Sequence, residues 1–138
     1  MLVKKIFVYG SLRSDMFNYK KLLEGQVSKV YKGSIQGELS HIENKGYPAV
    51  VPGTSTIQGE LMELFNFEES LIKLDDLENY DENNYTDCEY LRKVVEVKLE
   101  DGTSDNAYYY EYNPKSKLNK EDKLIPISSG DWKKYMDK

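Results

Sequence analysis

Two short stretches of this sequence bring together residue types that do chemistry. One is the Gly-Ser-Leu that ends an apolar run in FVYGSLRSD, Phe7 to Asp15; the other is an acid in NFEESLIKLDDLENY, Asn66 to Tyr80. In the second, taking Phe67 as zero and stepping about 100° per residue sets Leu71, Leu74 and Glu78 within roughly 40° of it. Leu77 flanks that stripe, Asp75 lies at its margin and Asp76 points away. Of the three acids in LDDLE, Glu78 is therefore the one aimed along the apolar face. It also sits near a helix C-terminus, where the macrodipole disfavours an anion. Burial and dipole both raise a carboxyl pKa, the direction a proton shuttle near neutral pH requires. The plain alternative is a helix that ends at Leu77, with Glu78 turned to water or paired with an arginine such as Arg92.

Gly10 follows what reads as a buried strand. A glycine there lets the chain turn sharply and leaves no side chain in a ligand's way. Successive N–H groups in such a turn form a concave nest for an anion. The site is no triphosphate loop, because GxxxxGK[ST] and spaced glycines are missing; a carboxylate suits it better. Ser11 has no evident base beside it in the sequence and reads as a hydrogen-bond donor. An ordinary strand stop is the competing reading.

Other chemistry is restricted by composition. The chain has 138 residues, with 19 basic and 24 acidic side chains and a net charge of −5, which argues against a nucleic-acid partner. A single cysteine, Cys88, implies no internal disulfide and no oxidising compartment, so the cytoplasm is the expected location. The only histidine, His41, rules out a His-rich metal site, and it reads as solvated or structural in ELSHIENKG. No apolar run approaches the roughly 18 residues of a membrane span. The start, MLVKKIFVYG, is too short in apolar residues for a secretory signal. No cofactor motif is present. Most of the twelve tyrosines are expected to be strand aromatics.

The elements that must position these residues follow from periodicity. Val3 to Tyr9 reads as a buried strand, followed by a short helix with Asp15 as its cap, Phe17, Leu22 and Leu23 packing, and Gly25 ending it. Val27 to Ile42 reads as strand bent or bulged at Gly33 and Gly37. Tyr47 to Val51, between Pro48 and Pro52, reads as a separate extended piece, and Thr56 to Leu64 as another strand. The main helix runs from Asn66 to about Tyr80, with Asn66 and Glu69 as a capping box. Tyr90 to Leu99 and Asn106 to Tyr112 form a hairpin through Glu100–Thr103. Pro114 to Lys123 reads as a mobile charged loop, and Gly130-Asp131-Trp132 opens a last helical turn. The expectation is one α+β domain over residues 1–138. Its sheet is mixed and strongly curved or closed as a small β-barrel, with one main helix and short peripheral ones.

With these blocks in hand, the chain resembles the gamma-glutamylcyclotransferase-like superfamily. YGSLRSDMFNYKKL is similar to that family's YGSL/YGTL segment, with Tyr9, Gly10, Ser11, Leu12, Arg13, Asn18 and Leu22 all matching. LDDLE looks like its Leu-Asp-x-x-Glu helix end, EYLRKVVEV like its Tyr-x-Arg-x-x-Val strand, and AYYYEYN like its late tyrosine-bearing strand. The resemblance spans roughly Ile6 to Trp132. It implies intramolecular aminolysis of a small gamma-glutamyl compound to 5-oxoproline, without cofactor or metal, with Glu78 as general acid/base. It also implies a substrate site formed by Tyr9, Gly10, Ser11, Leu12 and Tyr110. Arg92 is implied either as a substrate contact or as half of a structural ion pair. Two departures stand out: Asp15 replaces a common glycine, and an acidic insert, NYDENNYTDCE, separates Glu78 from Tyr90. The rival expectations are a non-catalytic module binding a glutamyl-like carboxylate, and a purely structural or interaction domain.

Overall fold

The computed structural model describes residues 3–14, 16, 19–81 and 83–136. Asp15, Phe17 and Asn18, expected as cap, packing residue and motif residue, lie outside them. Six strands, β1 Lys5–Val8, β2 Val27–Ile42, β3 Tyr47–Leu64, β4 Tyr90–Leu99, β5 Ser104–Tyr112 and β6 Leu124–Pro126, form one sheet in the order β3-β1-β5-β4-β2-β6. A further β2–β3 pairing closes the first five of these into a mixed barrel and leaves β6 as an added strand on β2. Only β1–β5 is parallel. This is the small α+β barrel expected from the sequence. No helix among the described residues is long and apolar enough to cross a membrane.

Period-two alternation sorts the side chains into two cores. Phe7 on β1 and Tyr9 just after it join Ile57, Leu61, Val97, Ala107, Tyr109 and Trp132. Ile6 and Val8 face the other way, where Leu74 of the main helix and Leu23 cover them together with Met62, Tyr110 and Tyr112. Burying a side chain such as Leu74, which is fully inaccessible, contributes about 2 kcal/mol.

The long hairpin corrects one expectation. Tyr47–Leu64 is a single strand of 18 residues rather than two pieces. Its register against β2 jumps from Gly37↔Ser55 to Glu38↔Val51, so Pro52, Gly53 and Thr54 form the slack of a bulge. A proline has no N–H for the ladder and fits at such a bulge, so Pro52 bends the strand without ending it.

The helix α1 runs from Phe67 to Leu77. Asn66 precedes it, but its side chain makes no capping hydrogen bond, so the expected capping box is absent. Before β2, the expected short helix is a π-helical turn, Tyr19–Leu23, after which Gly25 turns at φ +85°. The 114–123 segment is not the free loop expected. It holds a 3-10 turn, Lys117–Asn119, capped by Ser116, whose hydroxyl accepts from Leu118 N. Asn119 is buried and donates to the carbonyls of Glu89 (2.9 Å) and Asn113 (2.8 Å). A final helix α2, Trp132–Met136, follows Gly130 and Asp131 as expected. His41 is structural: its Nδ1 accepts from Trp132 Nε1 (3.1 Å), and its ring lies against Trp132 and Tyr135.

Candidate active site

A cavity of about 190 Å³ opens where β1 ends. Phe7 and Val8 form its base, and the following residues Tyr9, Gly10, Ser11 and Leu12 supply one wall. Leu77, Glu78 and Asn79 come from the end of α1, and Glu89 and Tyr90 from the start of β4. Tyr47, Pro48 and Tyr110 complete it.

The wall after β1 is a turn in which Arg13 N donates to Gly10 O (3.0 Å), and Tyr19 N donates to Ser11 O (3.1 Å). Gly10 is required for packing as well as for turning. A Cβ at this position would stand 2.6 Å from Pro48 Cγ and 3.0 Å from Pro48 Cδ, so the proline ring occupies the space a side chain would need. Tyr9 is buried and donates its hydroxyl to Tyr110 O (2.6 Å), tying the turn to β5. Tyr9→Phe should lower stability by about 1 kcal/mol, because a buried carbonyl loses its donor. The check is a urea melt, and an unchanged midpoint would mean that Tyr110 O finds another partner.

Glu78 follows the last residue of α1, yet the helical pattern carries through it. Its N–H donates to Leu74 O (3.0 Å), which keeps its side chain on the Leu74 face. Asn79 then takes φ +53° and closes the helix, with Tyr80 N donating to Asp75 O (2.9 Å). Glu78 is thus directed along the apolar stripe, as the periodicity predicts, and its accessible part lines the cavity. Burial, and secondarily the charge of Glu89, push its carboxyl up to about 8. Burial is also the main cause raising the phenols of Tyr9, Tyr47, Tyr90 and Tyr110, and the charge of Glu78 adds to each. Four tyrosines therefore surround this acid.

Arg92 does not line the cavity. Its guanidinium pairs with Asp75 and lies over the rings of Tyr80 and Tyr108, 5.1 and 5.2 Å from their centroids. Asp75 also accepts from Tyr110 Oη (2.7 Å), so the pair braces a cavity tyrosine from behind. Of the two roles the resemblance allowed for Arg92, this geometry is that of the structural ion pair.

A second acid escaped the sequence reading. Glu89 is buried and lines the same cavity. Asn79 brings it there: Glu89 N donates to Asn79 O (3.2 Å), and Asn79 Nδ2 donates to Glu89 Oε1 (3.0 Å). These two bonds close the acidic insert into a loop, braced inside by Cys88 Sγ, which accepts from Asp81 N (3.1 Å). Glu89 precedes the alternating part of β4, so no periodicity marks it as inward-facing. Tyr47 and Pro48 were missed for the same kind of reason, since they enter only when the long hairpin folds across β1. Among the described residues no group of three His, Cys, Asp or Glu side chains is disposed to hold a metal ion.

The comparisons agree with this architecture. In solved structures, the chain is similar to YkqA of Bacillus subtilis, at 25% identity and TM-score 0.69. That match covers 98% of this chain and 41% of YkqA, so the chain spans about two fifths of that protein. It is also similar to an AIG2-like protein of Mus musculus at 25% identity and TM-score 0.62, covering 83% and 82% of the two chains. The uncharacterised protein PH0828 of Pyrococcus horikoshii shares the fold at 22% identity and TM-score 0.60, over 98% and 93%. No curated protein matches the chain. The family model described as gamma-glutamyl cyclotransferase, AIG2-like, matches residues 6–134, and on that extent the chain belongs to this family.

Proposed function

We propose that the protein converts a gamma-glutamyl amide into 5-oxoproline and a free amine, with Glu78 as the acid/base. The observation that carries this reading is the shared cavity: a carboxyl raised to about 8 lines the same space as the Gly10–Leu12 turn. The substrate's α-ammonium, beside its own free α-carboxylate, is mostly protonated at pH 7, and a carboxyl raised to about 8 is a strong enough base to take a proton from it. Ionised Glu78 takes one proton from the substrate ammonium. The resulting amine attacks the γ-carbonyl, forming the ring C–N bond. The second ammonium proton and the one held by Glu78 pass to the departing nitrogen as its C–N bond breaks. The products are the lactam and an alkylammonium, and no water is consumed.

The remaining task is to hold a floppy chain folded on itself, an entropic contribution. In this reading the backbone N–H groups of the Gly10–Leu12 turn, with Ser11, bind the α-carboxylate, and Tyr9 and Tyr110 line the glutamyl chain. The test is release of 5-oxoproline from gamma-glutamyl amides, gamma-glutamyl amino acids and glutathione. A protein that is thermally stabilised by these compounds but converts none of them is a carboxylate-binding module instead.

The pH dependence has a definite sign. Only ionised Glu78 accepts a proton, and at pH 7 a group of pKa about 8 is ionised in roughly a tenth of molecules. With the substrate in its ammonium form, kcat/KM should climb by several tens of fold, at most about 50-fold, from about pH 6 to about pH 8. It should fall above that as the free substrate loses its own proton. A profile flat from about pH 5 to 8 would remove Glu78 as the titrating base.

A further inference from the structure

The inference here rests on the cyclisation reading and concerns the other product. Two carboxyl groups line the cavity, Glu78 and Glu89, and among the described residues no lysine or arginine does. Glu89 accepts from Tyr47 Oη, from Lys45 Nζ (3.0 Å) and from Asn79 Nδ2 (3.0 Å). A carboxylate offers about four acceptor positions, so one remains for a donor from the cavity. Lys45 does not cancel this acidity. It is shared with Asp122 (2.9 Å) and also donates to Asn119 Oδ1 (2.7 Å) and Leu118 O (3.3 Å). One ammonium thus faces two carboxylates, and the cluster keeps a net negative charge beside the site. Asp122 is itself held by Tyr112 Oη (2.7 Å) and Asn44 Nδ2 (2.9 Å), so Lys45 has little freedom to swing toward a ligand.

We propose that Glu89 is a specificity residue for the leaving group, and that the preferred leaving group is an alkylamine bearing a second positive charge, such as a diamine or a guanidino-amine. A leaving group with its own carboxylate meets two acids and no cation, and is disfavoured. The glutamyl half of the substrate is the same in every case, so the preference resides only in the tail.

The experiment uses three gamma-glutamyl amides of matched length, whose tails end in an ammonium, a methyl or a carboxylate. The intact protein should process the cationic tail at least about tenfold better in kcat/KM than the neutral one, and the anionic tail worst. Glu89→Gln should collapse the cation-to-neutral ratio toward one. The ratio is taken within each variant, so any change in Glu78 titration cancels. Lys45→Met, which leaves Glu89 less neutralised, should move the ratio the opposite way. Equal rates for the three tails in the intact protein overturn the proposal. So does a Glu89→Gln protein that loses all three activities in proportion, since that is the behaviour of a structural group or of one holding the α-ammonium. Binding of the same amides to Glu78→Gln, measured by calorimetry, separates the two readings. The expected order of affinities without 5-oxoproline from the intact protein sinks cyclisation but keeps the subsite, whereas turnover without a charge order sinks only the subsite.

Discussion

Glu78→Gln should eliminate 5-oxoproline formation, with kcat lowered by roughly 10²- to 10⁴-fold, while gamma-glutamyl amides still bind. The amide fills the same volume and keeps the contacts of the Gly10–Leu12 turn, but it cannot accept a proton at any accessible pH. The loss should fall on kcat rather than KM, because the missing interaction belongs to the transition state. A variant with more than about a tenth of normal turnover would show that another group moves the proton.

The same substitution has a stability signature of opposite sign. The folded-state pKa of Glu78 is raised from 4.5 to about 8, so between those values the folded protein binds more protons than the unfolded chain. Its contribution to stability therefore declines as pH rises through that window. Glutamine removes the decline, so Glu78→Gln should melt higher than the unaltered protein at about pH 8 and show little advantage near pH 5. Losing activity while gaining stability is expected when a buried ionisable group is kept for chemistry rather than for the fold. If the variant melts lower at every pH, the carboxyl is stabilising and the reading of its environment fails.

The second large effect lies outside the cavity. Gly130 has φ +71°, and a Cβ there would stand 2.0 Å from the carbonyl oxygen of Thr56. Its own backbone is in use: Gln58 N donates to Gly130 O (2.7 Å), and Gly130 N donates to Ile127 O (3.2 Å). The clash is with strand backbone, which cannot rotate away as a flexible side chain would. Gly130→Ala must therefore distort the turn or pull it off β3, and that turn delivers Trp132, fully buried in the core, from the next helix. We expect a loss of about 3 kcal/mol, roughly 10 °C in melting temperature for a domain of this size. Calorimetry decides it; a shift under about 2 °C would mean the turn relaxes freely.

The family blocks were legible because each is local. The alternation in β1, the glycine after it and the stepping that places Glu78 over Leu74 all depend on residues within a turn or two of one another. Short-range geometry is set by φ, ψ and side-chain period, which sequence displays directly. The capping box at Asn66 was also a local inference and did not hold, since a permissive residue at the right offset does not oblige its side chain to fold back.

What tertiary structure alone decided is the company each residue keeps. The alternative reading paired Arg92 with Glu78, but closure of β4 against β5 set it beside Asp75, while Glu78 went to the cavity. Pro52 looked like a strand stop until its partner strand supplied the register that absorbs it as a bulge. Glu89 carried no periodic mark and became a cavity wall through bonds to Asn79, Tyr47 and Lys45, none of which a local pattern displays. The chain's own pattern thus determined which face each element buries and which carboxyl lies along the apolar stripe of the main helix. Barrel closure, which pairs β1 with strands more than fifty and one hundred residues away, determined which faces meet, because a contact between distant segments costs loop entropy that no local pattern records.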